Sequence, residues 1–271
     1  MSADGVFARL ARRHGARTRD TASSSPVCPA AGAAQGGGIS LSAVTVRRAG
    51  QPVLRGITLE LTERRIGLVG RNGSGKSTLA RTIKGLLRPE SGSVALYGID
   101  PAERSPEALA TAGFLFQNSD HQILCPTVLE EIAFGPAQAG GTQAQSEAAA
   151  RALMEAHGIA GWAGRPVAAL SEGQRRLVCL LAVLVMEPRL VILDEPFAGL
   201  DIPTRLKLGR FIARLPQQAL VVSHDPETLA GFDRVIWLDE GAVRADGPPS
   251  SVLPDFQAAM RAEGEAPLCS D

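Results

Sequence analysis

The chain has 271 residues, 45% of them hydrophobic, and its 28 basic and 28 acidic residues balance to a formal charge of +0. This suits one globular domain with a sizeable core and excludes a global basic field for DNA or RNA, so no nucleic-acid partner is expected. Cys28, Cys125, Cys179 and Cys269 lie far apart without C-x-x-C spacing, which suggests neither a zinc site nor a disulfide framework and fits reduced thiols in a cytoplasmic protein.

Residues 1–38 open with Arg9, Arg12, Arg13, Arg17 and Arg19 and continue in Ala, Gly, Ser and Pro through Gly36-Gly37-Gly38. They read as a disordered tail without the apolar stretch of a secretory signal. Residues 39–47 and 53–61 alternate apolar and polar side chains around Ala49-Gly50-Gln51-Pro52. That pattern predicts two half-buried strands joined by a turn, an antiparallel flap. The apolar run 66–69 then enters Gly70-Arg71-Asn72-Gly73-Ser74-Gly75-Lys76-Ser77-Thr78, which contains G-x-x-x-x-G-K-[ST]. Glycines let the backbone approach a polyphosphate so that successive N–H groups point at its oxygens. Lys76 adds a point charge for the β and γ phosphates, and the Ser77 hydroxyl is placed to ligate Mg²⁺. Leu79, Ile83, Leu86 and Leu87 follow at helical spacing until Arg88-Pro89. Strand, loop and helix N-terminus thus stand in the order that anion binding requires.

Farther along, the apolar stretch 114–116 ends at Gln117, and residues 146–157 are rich in helix formers closed by Gly158. Ser171 and Gln174 have the spacing of a capping box at the start of an apolar helix that Glu187-Pro188 ends. That helix is either simply well capped or presents its N-terminus to a phosphate. Its apolar run, residues 177–186, is about half the roughly 20 residues needed to span a bilayer, so any membrane association is expected to be peripheral. The runs 190–193 and 219–222 are continuously apolar, as strands of a parallel sheet covered on both faces are. Chemistry stands at the end of each, Asp194-Glu195 after the first and Ser223-His224-Asp225 after the second, where ligands of such sheets bind. Residues 234–238 and 242–245 flank Asp239-Glu240-Gly241 as a hairpin, and Pro248-Pro249 is expected to close the fold. Residues 251–271 are then a C-terminal tail, and no internal repeat is present.

Together these motifs resemble the ATP-binding cassette (ABC) family of transport ATPases over nearly all of residues 39–250. Residues 70–78 match its Walker A motif, Gln117 its Q-loop, and Leu170-Ser171-Glu172-Gly173-Gln174 its LSGGQ signature. Residues 190–195 match the Walker B strand, Ala198-Gly199-Leu200-Asp201 the D-loop, and His224 the switch histidine. The resemblance implies an α/β P-loop NTPase fold with a mostly parallel sheet, an antiparallel β flap and a helical subdomain over residues 118–186. It also implies ATP and Mg²⁺ as cofactors. Gly70, Asn72, Gly73, Ser74, Gly75, Lys76, Ser77 and Thr78 would hold nucleotide. Ser77, Asp194 and Gln117 would serve the metal, Glu195 would be the general base, and His224 would sense the γ-phosphate. Ser171, Gly173, Gln174 and Asp201 belong to motifs that complete the site across a dimer, so a second ATPase subunit, identical or different, is implied.

Three features depart from the family pattern. Glu172 stands in place of the first signature glycine and sets a carboxylate near a polyanion; since Gly173 is kept, slower turnover is the most that is expected. Arg48 stands where relatives carry an aromatic against adenine, and a guanidinium plane also stacks on a base. The tail at 1–38 is not required by the pattern. The segment Gln117-Asn118-Ser119-Asp120-His121-Gln122 is similar to one in energy-coupling factor importers for vitamins and transition metals, and His121 resembles the biotin-transport subgroup. This implies a transmembrane coupling protein and a membrane substrate-binding protein as partners, and a peripheral location on the cytoplasmic face of the cell membrane. A cobalt or nickel energy-coupling ATPase and a non-transport ABC ATPase stand as the alternatives.

Overall fold

The computed structural model describes residues 37–264, so the expected tail at 1–38 lies outside the described residues except for its last two. Strands β1 (Ile39–Arg48) and β2 (Gln51–Leu61) pair antiparallel. The turn between them is tighter than expected: Ala49 and Gly50 alone form it, at φ 48° and 78°. Two left-handed residues give the twist that continues into a right-twisted strand pair. Strand β3 (Arg65–Val69) leads to helix α1 (Lys76–Ile83), and β4 (Ser91–Leu96) then returns to the free edge of β1. The flap therefore has the order β2-β1-β4. The sequence did not announce β4, because only Val94 and Leu96 are buried in a strand that begins Ser-Gly-Ser.

Helix α2 (Pro106–Thr111) precedes β5 (Ala112–Leu115), and α3 (Val128–Gln138), α4 (Gln143–Ala156) and α5 (Glu172–Leu184) follow. Strand β6 (Leu190–Asp194), helix α6 (Ile202–Arg214), β7 (Gln218–Val222) and the hairpin β8 (Arg234–Asp239) and β9 (Ala242–Gly247) complete the second sheet. Its order is β5-β6-β7-β3-β8-β9, parallel except for β9. Side chains alternate strictly between its faces. Leu190, Ile192, Leu220, Val222, Ile66 and Leu68 pack with α1 and the flap. Val191, Leu193, Ala219, Val221 and Val69 join a second core with Val128, Ile132, Met154, Leu177 and Leu181 of α3, α4 and α5. Burial on both faces is why the β6 and β7 sequences are apolar throughout. Among the described residues no helix is long and apolar enough to cross a membrane.

The C-terminal expectation needs correction. Residues 249–264 do not trail away but form helix α7 (Pro249–Gly264), and the rest of the expected tail, 265–271, lies outside the described residues. Val252, Leu253 and Phe256 are buried on one face of it, and Phe256 meets the Trp237 ring of β8 edge-on with centroids 5.4 Å apart. Pro249 opens a helix without loss because the first N–H groups have no partner there anyway. The signal was the spacing 252, 253, 256 and 260, hidden behind the Pro-Pro pair. Phe256→Ala should lower the unfolding free energy by about 3–5 kcal/mol, as for a buried phenylalanine elsewhere. Urea midpoints followed by tryptophan fluorescence test this, and a loss under about 0.5 kcal/mol, the size typical of exposed positions, would restore the tail reading.

Candidate functional site

The strand order brings the carboxyl ends of β5, β6, β7 and β3 side by side. Gln117 lies beyond β5, Asp194 ends β6 with Glu195 next, His224 lies beyond β7, and the loop 70–75 joins β3 to α1. Gly75 caps α1 at φ 102°, and a Cβ there would stand 2.9 Å from the Val53 carbonyl oxygen. Conformation and space both demand glycine at that point. Asn72 and Gly73 are exposed at the loop's crest, whereas Ser74, Gly75 and Thr78 are buried.

Lys76 is buried, and its ammonium donates to the carbonyls of Gly70 and Arg71, both at 2.8 Å. Burial lowers its pKa, and the nearby carboxylates of Glu195 and Asp194 work against that lowering. Ser77 donates its hydroxyl to Asp194 Oδ1 at 2.9 Å. Asp194 is 1% exposed and its Oδ2 is buried without a hydrogen-bond partner. Burial raises its pKa more than the Ser77 bond lowers it. A buried carboxylate oxygen with nothing to accept from is costly, and beside a hydroxyl it makes a donor set suited to a hard cation. Among the described residues no group of three or more His, Cys, Asp or Glu side chains can hold a metal alone. Mg²⁺ does not require one, since it keeps waters and shares phosphate oxygens.

Glu195 has φ 51°, a left-handed conformation that costs on the order of 1–3 kcal/mol for a residue with a side chain. Its N–H donates to the Val222 carbonyl at 3.0 Å, and its Oε2 lies 2.7 Å from His224 Nδ1. With the carboxylate ionised, Nδ1–H is the donor, which leaves Nε2 of a mostly exposed ring free to face a ligand. The loop after His224 is tied down by Arg205 of α6, which pairs with Asp225 at 2.6 Å.

Ser171 caps α5 as a true capping box: the Gln174 N–H donates to Ser171 Oγ at 3.4 Å, and the Ser171 N–H donates to Gln174 Oε1 at 3.0 Å. The serine hydroxyl accepts in this pair, so its own proton stays available. Gly173 packs against the start of α6, which Asp201 caps by accepting from the Thr204 N–H at 2.9 Å. The structure thus joins Lys76, Ser77, Asp194, Glu195 and His224 at the carboxyl ends of the central strands. Ser171, Gly173, Gln174 and Asp201 are local caps and packing positions at two helix starts. Gln117 is exposed and enters the network through its backbone, its carbonyl accepting from Arg176 at 2.9 Å. Arg176 went unnoticed in the sequence, where it is the second of two adjacent arginines that precede the apolar run 177–186. Glu172 does not point at open space but pairs with Arg175 and Arg176 at 3.0 and 3.1 Å. Arg48 is exposed at the tip of the flap opposite Gln51.

A family model described as ABC transporter matches residues 54–198, more than half of the chain. This chain belongs to the ABC transporter family. As an ABC ATPase it binds and hydrolyses ATP. It is 50% identical over 231 residues to the biotin transport ATP-binding protein BioM of Rhodobacter capsulatus, covering 85% of this chain and 99% of that one. Identity to BioM of Rhizobium etli is 39% over 204 residues, covering 75% and 91%. Among solved structures, cbiO1 of Clostridium perfringens, part of the ABC transporter complex cbiONQ, superposes with a TM-score of 0.71 at 25% identity, covering 86% of this chain and 97% of that one. The ABC ATPase fold read from the motifs is therefore the fold found, with its parallel sheet and antiparallel strands.

Proposed function

We propose that this ABC ATPase powers an energy-coupling importer for biotin, working at the cytoplasmic face of the membrane. Half identity over nearly the whole length of a biotin transport ATP-binding protein carries the reading. It works as one of two ATPase subunits, with a transmembrane coupling protein and a membrane substrate-binding protein. Exposed Leu124 and Phe134, in and beyond the segment that follows Gln117, offer apolar surface for the membrane partner. Exposed Ile202 and Leu206 beside Asp201 offer the same for the second ATPase.

In this reading the backbone N–H groups of the loop 70–75 and Lys76 grip the β and γ phosphates, with Thr78 at the start of α1. Ser77, Asp194 and Gln117 would hold Mg²⁺, which when bound would neutralise phosphate charge. Glu195 takes a proton from the attacking water as the bond between the γ-phosphorus and the ADP oxygen breaks, and His224 fixes the carboxylate through Nδ1. Ser171 and Gly173 of the second subunit close over the γ-phosphate with the Ser171 hydroxyl proton and the Gly173 N–H, and Gln174 and Asp201 shape those ends.

The test is uptake of labelled biotin by cells that lack their own transporter and express this chain with a transmembrane coupling protein and a biotin-capturing membrane protein. ATP-dependent biotin uptake and co-purification with those proteins in detergent are expected. Uptake of cobalt or nickel instead would overturn biotin as the cargo and leave the ATPase reading standing. A chain that follows no membrane protein through purification would argue for neither.

A further inference from the structure

Helix α5 carries a charged pair that neither capping nor core packing accounts for. The Arg176 side chain is 4% exposed. Its Nη1 donates to the carbonyls of Glu195, Pro196 and Ala198 at 3.1, 2.9 and 2.9 Å. Its Nη2 donates to the Gln117 carbonyl at 2.9 Å and to Glu172 Oε1 at 3.1 Å. These acceptors come from three segments: the end of β5, the turn after β6, and the first turn of α5. A planar guanidinium can serve them together, whereas an ammonium has three donors and no plane. Glu172 is the formal charge that compensates this buried cation. The carboxylate is itself held by Arg175 at 3.0 Å and by the Ser119 hydroxyl at 3.3 Å.

We infer that Arg176 is a positioning residue for hydrolysis and that Glu172 is its anchor. The pair fixes the backbone of Glu195 and of Gln117 relative to the helix start that bears Ser171. This rests on the reading of Glu195 as the general base. Glu195 holds a left-handed backbone, and the bonds to its own carbonyl and to those of Pro196 and Ala198 keep that turn from relaxing. The clamp also ties Ser171 and Gly173, which face the partner's nucleotide, to the residues that act on the chain's own. It reverses the sign expected of Glu172. A carboxylate aimed at polyphosphate slows turnover, so that glycine speeds it, whereas a carboxylate engaged by two arginines and a serine predicts that glycine slows it.

The experiment measures ATP hydrolysis, ATP affinity and melting temperature for the full-length wild type, Glu172→Gly, Glu172→Gln, Arg176→Lys and the double variant Glu172→Gly/Arg176→Lys. Arg176→Lys should lower kcat about 10- to 100-fold, the scale of a misplaced catalytic group, and Glu172→Gly about 3- to 10-fold, with KM and ATP affinity within about 2-fold. Glu172→Gln should recover part of the loss because its amide oxygen still accepts. The double variant should be no slower than Arg176→Lys, since both changes act through one clamp. Faster turnover or tighter ATP binding in Glu172→Gly overturns the inference. So do unchanged kcat values, or additive losses that track melting temperature alone. If Arg176→Lys fails to fold, the Glu172 pair decides. Variants that match an active wild type sink the clamp and spare the ATPase reading, whereas an inactive wild type sinks both.

Discussion

Replacing Glu195 by glutamine is expected to lower steady-state ATP hydrolysis by about 10²- to 10⁴-fold, the span measured for lost general-base catalysis, while ATP still binds. The local geometry makes this variant unusually clean. Both contacts to the head group, the His224 N–H at 3.4 Å and Nδ1 at 2.7 Å, fall on the same oxygen, Oε2. A glutamine carbonyl in that place accepts both, and the volume and the left-handed backbone are unchanged. What disappears is the capacity to take a proton from water. The expected pattern is therefore unchanged melting temperature, retained ATP-induced stabilisation and a collapse of phosphate release. Uptake by the assembled transporter should stop with it. Hydrolysis within about 3-fold of wild type, far short of a general-base effect, would remove Glu195 from that role.

Much of this site was legible in the chain because its chemistry is local in sequence. A phosphate loop must place glycines, lysine and a hydroxyl within one turn, and residues 70–78 do so before any tertiary contact is known. The runs 190–193 and 219–222 announced buried parallel strands because both faces are covered, and the residues that follow each run inherit their place from the sheet. The meaning of Glu172 was not legible. Read along the chain it is a carboxylate where a glycine is usual. Its partners are Arg175 and Arg176, three and four residues on, and Ser119 at a sequence distance of 53, and only folding brings the last near. Arg176 is harder still, since its acceptors are backbone carbonyls, which every residue has and no sequence pattern marks. Helix α7 was missed for another reason: Pro248-Pro249 reads as an end, yet proline at a helix start is equally well placed. Strand β4 was hidden because its first half lies over solvent.

Lys76→Ala should weaken ATP binding by about 10²- to 10³-fold, on the scale of truncating one partner of a buried hydrogen-bonded charge pair, yet leave the nucleotide-free chain at least as stable as the wild type. The second half of that expectation follows from burial. Without nucleotide the ammonium is neutralised by no phosphate and rests on two loop carbonyls, and its pKa lies below the ordinary 10.5 chiefly because burial penalises the charged form. Between that lowered value and 10.5 the unfolded chain binds more protons at this lysine than the folded chain does, so the lysine makes stability rise with pH across that window. Below the window the charged ammonium carries its burial cost in full. Alanine removes both the cost and the slope. ATP inverts the balance, because its phosphate oxygens add counter-charge to that of Glu195 and Asp194. Wild type at 100 times its dissociation constant should gain about 2.7 kcal/mol of stability from ATP, seen as a raised melting temperature. The alanine variant should gain almost none at the same concentration, and its unfolding free energy should be flatter across the alkaline window. An alanine variant that ATP stabilises as strongly as wild type would show that the backbone cradle alone holds the polyphosphate.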